Sequence, residues 1–325
     1  VPAVGRARQD GAVTSSAASP TPRFTAPLVA PAVVAALLGV DAAGDGSGGA
    51  GDGERPVVLD VRWRLGGPPG RADHAAGHVP GAVYLDIDAE LAGPPGPAGR
   101  HPLPDPGDLQ DVLRRAGVSA GSRVVAYDDD SGAVAARAWW LLRWAGFPAD
   151  RVAVLDGGYR AWLADRLPVS AAPSRPAAGD VVVRSGRMPV IDADGAAAVA
   201  RDGVLLDARA GARYRGETEP VDPRAGHVPG ALSAPASDHL GSDGRWLPRE
   251  ALARRFAALG VGVGPDAATS PVGAYCGSGV MATAVVLALE YAGLRSPDTP
   301  VALYAGSWSN WSADPSRPAA VGARP

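Results

Sequence analysis

The sequence predicts an α/β fold made of two tandem copies of one domain, each a mainly parallel sheet flanked by helices. Three observations carry this. Short apolar stretches bounded by turn residues alternate with longer helix-forming stretches, the pattern of parallel strands joined by helical crossovers. The hexapeptide Gly-His-Val-Pro-Gly-Ala occurs twice, at 77–82 and at 226–231. The spacing repeats as well: Asp60 to Asp128 is 128 − 60 = 68 residues, and Asp207 to Cys276 is 276 − 207 = 69. Self-similar order at a matching spacing is the mark of a duplication.

Residues 1–23 are alanine, serine, proline and arginine without periodicity, and are expected to form a disordered tail. The first domain is placed at 24–168. It opens with a helix over 31–38, where Pro31 suits the first helical position. A glycine-rich connection over 41–55 reads as a flexible surface loop. A buried strand at 56–62 follows, then a Pro-Gly turn within 77–88 feeding a second short strand. A helix is expected over 109–116, a strand over 123–127, a helix over 133–144 closed by Gly146, a strand over 152–158 and a helix over 159–165. Residues 169–187, rich in proline, alanine and serine, read as the linker. The second domain, 188–318, returns the same order, with a helix near 196–200 and strands at 204–209, 272–276 and 301–306. Residues 319–325 form a short tail.

Composition narrows the function classes. The chain has 325 residues, enough for two adequate cores. A formal charge of −3 carries no polybasic signature for nucleic acid. All 31 basic residues are arginine. A single cysteine cannot close an internal disulfide, and no cysteine and histidine cluster has zinc-ligand spacing, so neither metal nor cofactor is expected. The apolar run from Leu28 to Val40 follows Arg6, Arg8 and Arg23 and imitates the core of an export signal. It is too short to span a bilayer, and the repeat gives it a counterpart in the second half. A domain helix in a cytoplasmic protein, without membrane contact, is the expectation.

The chemistry is expected at Cys276. A short apolar strand ends there, and helix formers begin at Met281 and run to Gly293. Glycines at 277 and 279 let the loop curl its backbone N–H groups toward one point, and the following helix adds partial positive charge. That setting favours the thiolate, the nucleophilic form. A lone cysteine is more often a buried structural residue; the flanking glycines and the strand-to-helix position reverse that preference. The first domain carries Asp128 at the matching place. It is expected to be inactive alone and to lend side chains at the domain interface, a common place for a pocket.

With these residues in view, the sequence resembles the two-domain rhodanese family over about Pro27 to Pro318. The loop Cys276-Gly277-Ser278-Gly279-Val280 is similar to that of the 3-mercaptopyruvate sulfurtransferases, whereas thiosulfate-preferring members usually carry basic residues there. Both Gly-His-Val-Pro-Gly-Ala copies, Leu155-Asp156-Gly157-Gly158 and Gly306-Ser307-Trp308-Ser309-Asn310-Trp311 add to the resemblance. The resemblance implies tandem rhodanese-like domains and transfer of sulfane sulfur from a small anionic donor, mercaptopyruvate favoured over thiosulfate. Sulfur passes through a persulfide on Cys276 to a thiol, thioredoxin or cyanide. It also implies a serine, a histidine and an aspartate beside the substrate, matched by Ser278, His101 and Asp88. Gly277, Gly279, Val280 and Met281 complete the loop, and Arg213 and Arg224 match positions that hold the donor's carboxylate, a task suited to guanidinium geometry. Arg215 reads as a surface residue, and His78 and His227 as loop-holding structural residues. The sequence departs from the family pattern at Met281, where threonine is usual, and at Asn310, where an acidic residue is common.

Two other classes compete. A cysteine phosphatase uses a comparable cradle but needs an arginine about six positions after the cysteine, and 276 + 6 is Ala282. A non-catalytic sulfur relay would keep Cys276 but would need no substrate-binding arginines.

Overall fold

Two five-stranded sheets, every strand parallel to its neighbours, form the centres of the two halves. The computed structural model describes residues 23–40, 55–262 and 270–325. The expected N-terminal tail and glycine-rich connection lie almost wholly outside these residues. In the first half the strands are β1 (Leu28–Val29), β2 (Val57–Asp60), β3 (Val83–Tyr84), β4 (Val124–Tyr127) and β5 (Val152–Leu155), in the order β1-β5-β4-β2-β3. In the second half β6 (Val190–Ile191), β7 (Val204–Asp207), β8 (Leu232–Ser233), β9 (Val272–Tyr275) and β10 (Ala302–Tyr304) repeat it as β6-β10-β9-β7-β8. The duplicated spacing has a counterpart in register: Asp60 pairs with Tyr127, and Asp207 with Tyr275.

The central strands were legible because both faces are covered. β4 and β5 read Val-Val-Ala-Tyr and Val-Ala-Val-Leu and are buried throughout, the continuous apolar run that a doubly covered parallel strand needs. The outer strands β1 and β6 have two residues each, too few for any period. The helices of the first half are α1 (Pro31–Leu38), α2 (Arg71–Ala76), α3 (Pro106–Arg115), α4 (Ala136–Trp144) and α5 (Gly158–Ala164). Those of the second are α6 (Ala193–Asp202), α7 (Gly211–Tyr214), α8 (Arg249–Ala258), α9 (Ala282–Tyr291) and α10 (Ser307–Ala313). α3 starts three residues before its apolar pattern, because the Asp105 carboxylate caps the N–H groups of Gly107 and Asp108 and Pro106 follows. Asp192 caps α6 in the same way through Gly195 N–H, 2.8 Å.

α4 was expected from residue 133 and begins at 136, because the preceding loop is wrapped around Asp128. That carboxylate accepts five backbone N–H bonds, from Asp130, Ser131, Gly132, Val134 and Ala135, at 2.7–3.1 Å. All nine residues of α4 are buried, Trp139 and Trp140 completely. A helix that is covered all round belongs in an interior, and here that interior is the contact between the halves, where α4 packs on α9. The Arg143–Glu290 ion pair, 3.0 Å, joins the same two helices. The segment 169–187 follows the first half, with Gly179 N–H bonded to Arg114 O and Arg184 N–H to Ala145 O. The imidazoles of His78 and His227 donate to the carbonyls of His74 and Tyr214, at 2.7 and 2.8 Å, the structural bonds read from the two Pro-Gly turns.

Asp128→Ala should strip the acceptor from five buried or half-buried amides. With each orphaned group costing roughly 1–3 kcal/mol before water fills in, a net loss of about 2–4 kcal/mol is expected for the first half. Thermal unfolding with intact fold at 25 °C checks this; a melting point within about 1 °C of wild type would contradict it.

Candidate active site

Cys276 stands where β9 hands over to α9, at the focus of the second half's strand-to-helix loop. It is 3 % exposed. The N–H of Gly279 points at its sulfur, 3.1 Å away. Gly279 has φ +83°, and a Cβ there would lie 2.5 Å from the carbonyl oxygen of Ala305, so both backbone and space demand glycine. The loop is pinned from α10. The N–H groups of Trp308 and Ser309 bond the carbonyls of Cys276 and Gly277, both at 2.9 Å. Cys276 N–H donates to the Ser307 hydroxyl at 3.1 Å, and Ser307 itself has φ +54°. A non-glycine residue held in the left-handed region beside the sulfur marks a strongly constrained corner.

The predicted serine, histidine and aspartate are in contact, although they come from different halves. His101 Nδ1 lies 2.7 Å from the Ser278 hydroxyl, and His101 Nε2 lies 2.7 Å from the Asp88 carboxylate. A carboxylate only accepts, so Nε2 carries the proton and the free Nδ1 accepts from Ser278 O–H. Asp88 is held in turn by Trp63 Nε1–H at 2.9 Å. Burial pulls His101 below its ordinary value, outweighing the opposing pull of Asp88, and keeps the ring neutral at pH 7.

The predicted arginines fare differently. Arg213 lines a cavity of about 380 Å³ that also contains Cys276, Gly277, Ser278, Val280 and Met281. Its guanidinium is bonded to Glu219 at 2.6 Å and to Asp222 at 3.0 Å. Burial would raise Glu219, but the bonds from Arg213 and two backbone N–H groups hold it below the usual range. Arg224, expected in the same role, is elsewhere. Its guanidinium donates to the carbonyls of Trp311, Ser312, Asp314 and Arg317 at 2.7–3.0 Å. Those carbonyls lie at and beyond the end of α10, where a cation is favourable, so Arg224 caps a helix, and it does not line the cavity that holds Cys276. Arg215 is surface-facing, paired with Glu217.

A further cation at the cavity, beside Arg213 and the ion-paired Arg209, is Arg100 from the first half, which sequence reasoning passed over. Its Nη1 bonds Asp222 at 2.7 Å, so one carboxylate bridges Arg100 and Arg213. Among the described residues Arg100 Nη2 and Arg213 Nη1 donate to nothing, and both face Gly277: a Cβ there would lie 3.2 and 3.4 Å from them. The one available signal was adjacency to His101. Asn310 also finds a reason, since its amide donates to the Pro97 carbonyl of the other half at 2.7 Å, which a carboxylate could not do.

The Gly279 N–H at the Cys276 sulfur, the linked Ser278, His101 and Asp88 side chains and two unfilled guanidinium donors are gathered at one cavity. The Rhodanese-like domain family model matches residues 49–165 and again 193–314. A Pseudomonas aeruginosa protein named as a 3-mercaptopyruvate sulfurtransferase is 47 % identical over 271 residues, 82 % of this chain and 92 % of its own. A Mycobacterium tuberculosis protein named as a thiosulfate sulfurtransferase is 40 % identical, over 83 % of this chain and 92 % of its own. The crystal structure of Escherichia coli SseA, described among 3-mercaptopyruvate sulfotransferases, superposes with a TM-score of 0.70 at 29 % identity, covering 88 % of this chain and all of that one.

Gly279→Ala should drive the loop off the Ala305 carbonyl and turn the N–H away from the sulfur. Alkylation of Cys276 by iodoacetamide at pH 7 should slow at least tenfold while circular dichroism is preserved; an unchanged rate would contradict the cradle geometry.

Proposed function

The chain belongs to the rhodanese family, and from that footing we propose that it is a sulfurtransferase taking sulfane sulfur from 3-mercaptopyruvate through a persulfide on Cys276. The observation that carries the donor is the pairing of Arg100 and Arg213 with the Ser278–His101–Asp88 relay around a neutral cysteine loop. The two unfilled guanidinium edges suit a carboxylate set a few ångströms from the sulfur. Glycine and serine at 277 and 278 offer no cation beyond them to a compact dianion.

In this reading the donor's carboxylate lies across Arg100 Nη2 and Arg213 Nη1, with its thiol against Cys276. The thiolate attacks the donor sulfur, the carbon–sulfur bond breaks, and its electron pair passes to the carbon as an enolate of pyruvate. The thiol proton leaves through Ser278 to Nδ1 of His101, which is neutral and free to take it, and returns to that carbon. Pyruvate departs, and the charge remains on the outer sulfur of the persulfide. The loop N–H groups stabilise it in the manner of an oxyanion hole. A thiol acceptor, either thioredoxin or a small thiol, then removes the outer sulfur and restores the thiolate. The acceptor, the tandem arrangement as the functional unit and a cytoplasmic setting are parts of the same proposal. Among the described residues no helix is long and apolar enough to cross a membrane.

A second reading, thiosulfate as donor, is favoured by the name of the M. tuberculosis relative. Rates with the two donors measured side by side separate them: a higher kcat/KM with thiosulfate would overturn the donor and leave the class standing.

Incubation with mercaptopyruvate should add one sulfur, about 32 Da, removable by dithiothreitol and absent in Cys276→Ser. Turnover by a folded Cys276→Ser protein would falsify the persulfide route. Arg100→Ala and Arg213→Ala should each lower kcat/KM for mercaptopyruvate by roughly 10- to 150-fold, the loss of one charge-assisted bond, while Arg224→Ala should lower the melting point more than the affinity. Equal KM in wild type and Arg100→Ala would remove Arg100 from the clamp.

A further inference from the structure

Arg137 is a fully buried guanidinium with no carboxylate partner among the described residues. It lies on α4 of the inactive half and is 0 % exposed. Among the described residues every partner of its guanidinium is a backbone carbonyl: Leu91 at 3.2 and 3.3 Å, His101 and Pro102 at 3.2 Å, and Gly279 at 3.3 Å. An unpaired cation in an interior is costly, and burial pulls this guanidinium down to about 10; the one influence opposing that is the negative charge Cys276 carries as a thiolate.

The partners explain why it is there. The His101–Pro102 carbonyls belong to the segment that carries the relay histidine. The Gly279 carbonyl belongs to the peptide whose N–H is that of Val280. In the inactive half the loop is one residue longer: its left-handed glycine, Gly132, stands four positions after Asp128 where Gly279 stands three after Cys276, and Gly132 N–H bonds the Asp128 carboxylate at 2.7 Å as Gly279 N–H bonds the sulfur at 3.1 Å. A cation on the carbonyl side of a peptide strengthens its N–H as a donor. The two halves also differ here. The carbonyl matching Gly279, that of Gly132, accepts among the described residues only the Ala136 N–H of its own half, at 3.0 Å. The residue matching Arg137 on α9 is Ala284, each nine positions before the glycine that closes its helix, Gly146 or Gly293. Of the two loop carbonyls, only that of the half with the cysteine receives a cation.

We propose that Arg137, a residue of the inactive half, is the buried counter-charge of the Cys276 sulfur and the positioning residue that sets the relay segment against the cysteine loop. The inference rests on Cys276 being the nucleophile, but not on the donor. The other charged or titratable groups around the sulfur are His101 and Arg100 from the first half, and Arg213 and Arg209 from the second. Arg209 is neutralised by Asp207 at 2.7 Å and Glu219 at 3.3 Å, and Arg100 and Arg213 share Asp222.

The test is the pH profile of Cys276 alkylation by iodoacetamide in the resting protein, with no sulfur donor present, so that a wrong donor assignment cannot disturb it. In Arg137→Met the inflection should move up by about one pH unit, a tenfold smaller thiolate fraction below it. In Arg137→Lys, which keeps the charge and loses the fork, it should stay within about 0.3 unit. With whichever donor turns over, Arg137→Met should lower kcat about tenfold and leave KM within about twofold, because Arg137 does not line the cavity. A folded Arg137→Met protein with the wild-type inflection, whatever its melting point, overturns the counter-charge. Should Arg137→Met fail to fold, Arg137→Lys decides: an upward shift of a unit or more in the folded lysine variant overturns it, and an unmoved inflection with a lowered melting point supports it.

Discussion

The turn between a parallel strand and its following helix leaves a group of backbone N–H donors pointing inward with no carbonyl to receive them, and the rest of the site depends on what fills that space. Buried amides must be paired, so the turn folds only around an acceptor. The first half supplies its own, the Asp128 carboxylate with five bonds. The second half offers a sulfur, with one N–H at 3.1 Å and the remaining donors in the same loop. A carboxylate that saturates the loop leaves it nothing further to bind; a sulfur that does not saturate it leaves capacity for a second atom.

That difference assigns work to the two halves. The half with the saturated loop lends its side chains outward: His101, backed by Asp88, reaches Ser278, Arg100 reaches Asp222, and Arg137 reaches the Gly279 carbonyl. Each crosses the interface made by α4 and α9, whose buried tryptophans and Arg143–Glu290 pair fix the halves in place. The cysteine loop is therefore built by one copy of the domain and equipped by the other.

Much of this was legible in the chain. Duplicated turns and matching spacings marked the two sheets, since a fully covered strand must be apolar throughout, and the glycines at 277 and 279 marked the loop. Ser278, His101 and Asp88 were singled out by resemblance to a family, and their side chains lie in contact. Arg224 was misread because its neighbours in sequence lie near the site while its long side chain turns to the carbonyls at the end of α10, a choice made by tertiary packing. Arg100 and Arg137 escaped for the converse reason. Their targets are 122 and 142 residues away in sequence, and nothing local distinguishes a buried arginine from the many at the surface. The edge strands β1 and β6 were too short to carry a pattern.

The bridging position of Asp222 shapes how an anion reaches the cavity. Arg100 and Arg213 are accompanied at bonding distance by Asp222 and Glu219, two carboxylates for two guanidiniums, so their combined field largely cancels a few ångströms away. A site of this kind does little to draw anions in from solution, which would take an unbalanced charge. Its guanidiniums act at contact, through the direction of two N–H edges. Selection among anions is then a matter of fit after arrival, and ionic strength has little hold on the rate of capture.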